Sequence, residues 1–312
     1  MGLSSLLLPA LLFGGGALWQ HTASKREAAL FPMPGKTFPV PGAFMHIYAK
    51  GSGPRIVLLS GWGTSVPSAD FQPLMNELAP HFRVIVVEKP GYGFSSSTTV
   101  PRALDTVVDE LRAALTAAEE FGPYYLLAHS VAGCEAVRWA CSFPEEVKGI
   151  VMLDAPAPLC YETLPIPPAI LWHVFAFFRA VGIRRLLLHF PFYVSRYRRY
   201  LNNYKYLDPG LLPLERAMQA RQYCTLPMRQ EMRLLRQNCR IAGGKLPDGM
   251  PLLMLIASDT KTRFSLFQPE EDGFIARNRA QVAELAGKHN LQHYALAEIA
   301  AQVIRFASEV RS

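Results

Sequence analysis

Tyr124-Tyr125-Leu126-Leu127-Ala128-His129-Ser130-Val131-Ala132-Gly133 (YYLLAHSVAG, residues 124–133) is the stretch that decides the fold. Its first four residues are a short apolar run, as a strand buried on both faces requires. A helical pattern follows, running through Trp139 to Phe143. Ser130 therefore falls on a strand-to-helix corner. A nucleophile at such a corner needs small residues two positions to either side, because larger side chains collide across the turn. Ala128 and Ala132 meet that demand. The turn aims the serine hydroxyl at the helix N-terminus, where backbone N–H groups and the helix dipole favour developing negative charge. A serine that only caps a helix is the plainer alternative.

The same rhythm recurs to either side. Arg55–Leu59 leads to Ser60-Gly61-Trp62-Gly63, and Arg83–Val87 to Glu88-Lys89-Pro90-Gly91-Tyr92-Gly93. Gly149–Leu153 leads to Asp154-Ala155-Pro156, and Leu252–Ile256 to Ala257-Ser258-Asp259. Between such runs lie amphipathic stretches. In Pro101–Glu120, Leu104, Val107, Val108, Leu111, Leu115 and Ala118 line one face, opposite Asp105, Asp109, Glu110 and Arg112. Strands alternating with helices predict an α/β fold, a mostly parallel central sheet covered by helices on both faces. Thr37–Val40 and Phe44–Tyr48, joined by Pro41-Gly42, read as a leading hairpin.

The rhythm stops between Pro156 and Pro251. That stretch is rich in Phe, Tyr, Trp, Leu and Arg and reads as a helical cap inserted between two strands. The expected organisation is an N-terminal apolar anchor with a basic flank (1–26), a core (36–155 and 251–312) and the cap (156–250).

The formal net charge of +7 raises nucleic acid or an anionic membrane surface as partners. Residues 155–250 hold fourteen Lys and Arg against five Asp and Glu, a balance of +9, which leaves 7 − 9 = −2 for the rest. The basicity sits in the cap among long apolar runs. That distribution favours a membrane surface and argues against a nucleic-acid groove. Arg179, Arg184, Arg185, Arg196, Arg198 and Arg199 lie there as solvated cap residues or as an interfacial surface. The five cysteines show no CxxC spacing, so neither a zinc site nor a disulfide framework is indicated.

Leu3 to Trp19 carries no charge over seventeen residues and is read as a single-pass membrane anchor, with a cleaved signal or a buried soluble segment as alternatives. Pro9 and Gly14-Gly15-Gly16 weaken a helix there, and Lys25 and Arg26 would keep the catalytic domain cytoplasmic.

Serine is a poor nucleophile without a base held by an acid. Of the eight histidines, His293 is the expected base, just before the last amphipathic helix, and His289 is the alternative. His129 adjoins Ser130 but should point away from it and pack under the turn. Asp259, after the strand that follows the cap, is the expected acid, with Asp154 the alternative. The oxyanion needs two donors: the N–H of Val131, and one from the loop after Arg55–Leu59, where Trp62 is expected. Gly61 and Gly63 let that backbone approach closely.

Together Ser60–Thr64, Val87–Ser95, His129–Gly133 and His293-Tyr294 resemble the α/β-hydrolase superfamily over roughly residues 36–310, and within it a group of membrane-anchored bacterial members. The resemblance implies an α/β-hydrolase fold, Ser130 and His293 as nucleophile and base, and Trp62 and Val131 at the oxyanion. The chain departs from the family pattern at Ser60-Gly61, where His-Gly is usual, and at Gln292, where glycine usually precedes the histidine. Halide- and epoxide-cleaving relatives use an aspartate nucleophile, and Ser130 argues against both. The expected activity is hydrolysis of a small-molecule or lipid-like carboxylic ester through an acyl-enzyme, without metal or organic cofactor. The alternative is a catalytically silent α/β-hydrolase fold serving as a membrane-bound binding or signalling module.

Overall fold

The apolar runs and the leading hairpin pair into one eight-stranded sheet. The strands are β1 (Lys36–Val40), β2 (Ala43–Lys50), β3 (Arg55–Leu59), β4 (Arg83–Glu88), β5 (Tyr124–His129), β6 (Val147–Leu153), β7 (Leu252–Ala257) and β8 (Gln281–Leu285). Their order is β1-β2-β4-β3-β5-β6-β7-β8. The hairpin strands pair antiparallel, β2 joins β4 antiparallel, and every pairing from β4 onward is parallel. The structure, a computed structural model, describes residues 3–31, 34–201, 206, 208–263 and 265–311.

Parallel strands joined by crossover helices are covered on both faces, which is why β3 to β7 are apolar throughout. Alternate residues point to opposite sides. Val57, Leu126 and Ile150 meet Leu111, Leu115 and Trp139 from the helices Leu104–Ala117 and Ala132–Ser142. Leu58, Tyr125 and Leu127 meet Leu74, Ile299 and Phe306 from the helices Gln72–Leu78 and Leu296–Arg311. One periodicity expectation is corrected. Glu110, assigned to the polar face of its helix, is buried and accepts two hydrogen bonds from Arg102 Nη1, at 2.8 and 2.6 Å.

Between β6 and β7 the described residues contain no strand. They form helices at Ala169–Ala180, Ile183–Leu187, Pro191–Leu201, Leu212–Gln222 and Leu226–Ala242. The last of these is stitched to the sheet side of the molecule. Trp62 Nε1 donates to Met228 O at 2.7 Å and Thr225 Oγ1 to Gly91 O at 3.2 Å. The Asn238 amide accepts from Leu104 N and donates to Arg102 O.

The N-terminal expectation is overturned. No helix among the described residues is long and apolar enough to cross a membrane. Leu3–Leu30 is one helix that runs on through polar residues, and it packs on the inserted helices. Gln20 Nε2 donates to Ala220 O at 2.8 Å, and Arg185 donates to Gln20 Oε1 and to the Glu27 carboxylate. Gly16 is needed for this packing, because a Cβ there would stand 2.3 Å from Val181 O. The single-pass anchor is therefore withdrawn, and the cytoplasmic placement that followed from it goes with it. The membrane-surface reading of the basic segment is withdrawn too. Arg179 donates to Arg221 O, Arg184 to Gln219 Oε1, and Arg185 to the N-terminal helix, so these charges have intramolecular uses.

Candidate active site

Ser130 sits one residue beyond β5 with φ at +56°, a left-handed conformation that costs about 1–2 kcal/mol for a residue with a Cβ. The bend is enforced by close packing. A Cβ on Gly61 would lie 2.8 Å from Ser130 Cβ, and one on Gly133 would lie 2.7 Å from Met152 Cε. The loop after β3 thus runs directly against the corner, as the glycines flanking Trp62 implied.

The histidine at Ser130 is His289. Its Nε2 lies 2.9 Å from Ser130 Oγ, and its Nδ1 lies 2.7 Å from Asp154 Oδ2. Asp154 is 3% exposed, so its carboxylate depends on hydrogen bonds rather than water. Ala257 N donates to Oδ1 at 2.8 Å and Thr260 Oγ1 to Oδ2 at 2.6 Å. A carboxylate accepts only, so His289 carries its proton on Nδ1 and leaves Nε2 free to accept from the serine hydroxyl.

His293 and Asp259 are not brought to Ser130. His293 is 1% exposed, and its Nε2 pairs with Asp70 Oδ1 at 2.7 Å, while Gln292 Nε2 donates to Asp70 Oδ2 at 2.9 Å. The physical reason is local. Residues Leu291–His293 form a turn of 3-10 helix that rotates His293 inward, whereas His289 stays on the loop after β8. Asp259 begins the Ser258–Arg263 helix, and its backbone N–H donates to Gly287 O at 3.2 Å, supporting the loop's base. Gly287 was the signal available for His289. It precedes that histidine by two residues, and a Cβ on it would lie 2.7 Å from Tyr294 Cβ.

His129 packs under the corner as expected and also holds the His289 loop, with its Nε2 3.0 Å from His289 O. Burial, with the His289 ring adding to it, lowers the His129 pKa to about 4, so it is a neutral donor at ordinary pH. Val131 directly follows the nucleophile, at the start of the Ala132–Ser142 helix. Trp62 is pinned by its indole to Met228 O and meets Trp172 edge-on at 5.0 Å. Among the described residues no group of three or more His, Cys, Asp and Glu is placed to hold a metal ion.

The Asp70–His293 pair is a pH-dependent brace. Burial works to raise the Asp70 pKa, but His293, together with His129 and Gln292, outweighs it and the value is lowered. Burial works to lower the His293 pKa, but Asp70 outweighs that and the value is raised. The depressed Asp70 contributes stability above its ordinary value of about 4, lost as pH falls through its folded pKa. The raised His293 contributes stability below about 6.5, lost as pH rises through its folded pKa. Thermal melting points are thus expected to fall on the alkaline side of about pH 6.5. His293→Asn should flatten that limb, and an unchanged slope in the variant would remove the pair as its cause.

Residues 54–238 match the model of the α/β-hydrolase fold family. The chain belongs to that family. Bacillus subtilis YbdG is 28% identical to this hydrolase over 303 residues, covering 94% of it and 92% of YbdG. A pimeloyl-[acyl-carrier protein] methyl ester esterase of Xanthomonas oryzae pv. oryzae is 30% identical over 247 residues, covering 78% and 84%. Among solved structures, the enol-lactonase of Burkholderia xenovorans LB400 superposes with a TM-score of 0.65 at 15% identity, over 88% of this hydrolase and all of that chain. A haloalkane dehalogenase variant from Bradyrhizobium elkanii superposes at 0.60 with 18% identity, over 88% and 96%. These two likenesses speak to the fold.

Proposed function

We propose that this hydrolase is a serine esterase that cleaves a small carboxylic ester through an acyl-enzyme. One observation carries the reading: the unbroken chain of hydrogen bonds from Ser130 Oγ to His289 and on to Asp154. Ser130 Oγ attacks the acyl carbon as its proton passes to His289 Nε2. The Asp154 carboxylate holds the Nδ1–H and steadies the imidazolium that forms. The oxyanion is received by the N–H of Val131 and by that of Trp62, whose loop abuts the corner. His289 then protonates the departing alkoxide, and water repeats the sequence to free the acid. Residues 156–250 act as the cap over this site. The name of the Xanthomonas relative describes cleavage of a methyl ester, which favours a small alcohol as leaving group here.

The test is labelling with a fluorophosphonate probe alongside hydrolysis of 4-nitrophenyl acetate. Wild-type protein should be labelled and active, and Ser130→Ala should show neither. Folded wild-type protein that is both unlabelled and inert would put the silent binding module in place of the esterase.

A further inference from the structure

A small cavity adjoins the corner on the side of the Ala132–Ser142 helix, about 30 Å³ in volume and lined by Trp62, Val131, Cys134, Glu135, Glu231 and Leu235 among others. It lies between the two residues assigned to the oxyanion and the inserted helix Leu226–Ala242. A space of that size holds about one water molecule or a group as large.

Two carboxylates in its wall, Glu135 and Glu231, belong to a buried charge cluster that does not balance. Lys89 and Arg102 are 2% and 0% exposed, and they face Glu110, Glu135 and Glu231. Arg102 bonds Glu110 through Nη1 alone, leaving its Nε and Nη2 without a hydrogen-bond partner, while Lys89 pairs with Glu135 and Tyr92 donates to Glu231. Lys89 reaches Glu231 at 4.0 Å and Arg102 at 3.9 Å, which are ion pairs rather than hydrogen bonds. Two cations against three carboxylates leave 2 − 3 = −1 inside the protein. An uncompensated buried charge is costly, and such sites take up either a proton or a cation.

Two carboxylate oxygens in this cluster have no hydrogen-bond partner, Oε2 of Glu135 and Oε1 of Glu231. Both residues line the cavity, and Glu135 is only 6% exposed. Burial raises the Glu135 pKa, and Lys89, which acts the other way, does not cancel it.

We propose that the cavity binds a primary ammonium group on the acyl arm of the substrate, making short amino-acyl esters the preferred class; this rests on the esterase reading above. An ammonium is close to water in size, so it fits the volume. It supplies three N–H donors and no acceptor, so it satisfies both orphan oxygens while neutralising the excess charge. An alkyl terminus of the same shape would leave both oxygens unpaired, and a carboxylate would add a fourth negative charge. The cavity adjoins Val131 and Trp62, so the group it receives is borne by the acyl carbon held there.

The experiment compares 4-nitrophenyl esters of glycine and β-alanine with those of propionate and butyrate, each kcat/KM divided by the ester's own alkaline hydrolysis rate. Wild-type protein should favour the ammonium esters by about tenfold or more, as charged hydrogen bonds to buried acceptors do. Glu231→Gln should bring that ratio toward one, with thermal melting confirming that the variant is folded. Turnover of the neutral esters with no preference for the ammonium ones overturns this inference and leaves the esterase standing. A preference retained in Glu231→Gln overturns it too. Turnover of none of the four esters brings down both readings together.

Discussion

His289→Ala is expected to lower kcat on an activated ester by about 10⁴- to 10⁶-fold, close to the loss in Ser130→Ala, since triad members act as a unit. Among the described residues His289 alone is in hydrogen-bond contact with both Ser130 Oγ and Asp154. Asp154→Asn should cost about 10⁴-fold, because an amide in place of the carboxylate presents the imidazole in the wrong tautomer. His293→Ala provides the contrast. That residue is buried against Asp70, so its removal should lower stability while probe labelling of Ser130 persists. The assignment fails if the His293 variant loses labelling while folded and the His289 variant keeps it.

Arg102→Met is expected to destabilise the fold by about 3–5 kcal/mol, the usual result of removing one partner from a buried charge pair. Arg102 is fully buried, and its loss strands Glu110 in a nearly dry environment. Packing is not the main loss, since Met fills much of the arginine stem's volume. Glu110→Gln combined with Arg102→Met removes the stranded charge and should recover part of the deficit. Urea denaturation of the three proteins measures this. A change below about 1 kcal/mol for Arg102→Met would place it among ordinary surface pairs and contradict the burial argument.

The strands were legible because parallel β-strands are apolar on both faces, and the strand-to-helix corner at Ser130 because it demands small neighbours. The acid was ambiguous for a physical reason. Asp154 and Asp259 follow neighbouring strands, β6 and β7, and only the backbone decides which side chain turns toward the loop histidine. Asp154 has φ at +43°, a turn no periodicity encodes, while Asp259 continues into a helix. His289 and His293 are four residues apart on either side of a tight turn, so proximity in sequence said nothing of direction. The N-terminal helix misled because an uncharged run of seventeen residues does not show that the helix continues through polar residues to Leu30. Gln20 and Glu27, paired with Arg185, place that helix only once the partner is seen. Glu110 misled in the same way, since its periodic position ignored Arg102.

The helix Leu226–Ala242 has a consequence for kinetics. Met228 and Asn238 on it, and Thr225 capping it, are all bonded to the sheet side of the molecule, and Glu231 sits in its buried charges. Swinging this helix aside would strip ion pairs and orphan backbone groups at once. It behaves as a fixed wall, not a door. Esters too large for the space beside it are expected to be poor substrates, because no opening of this helix makes room for them.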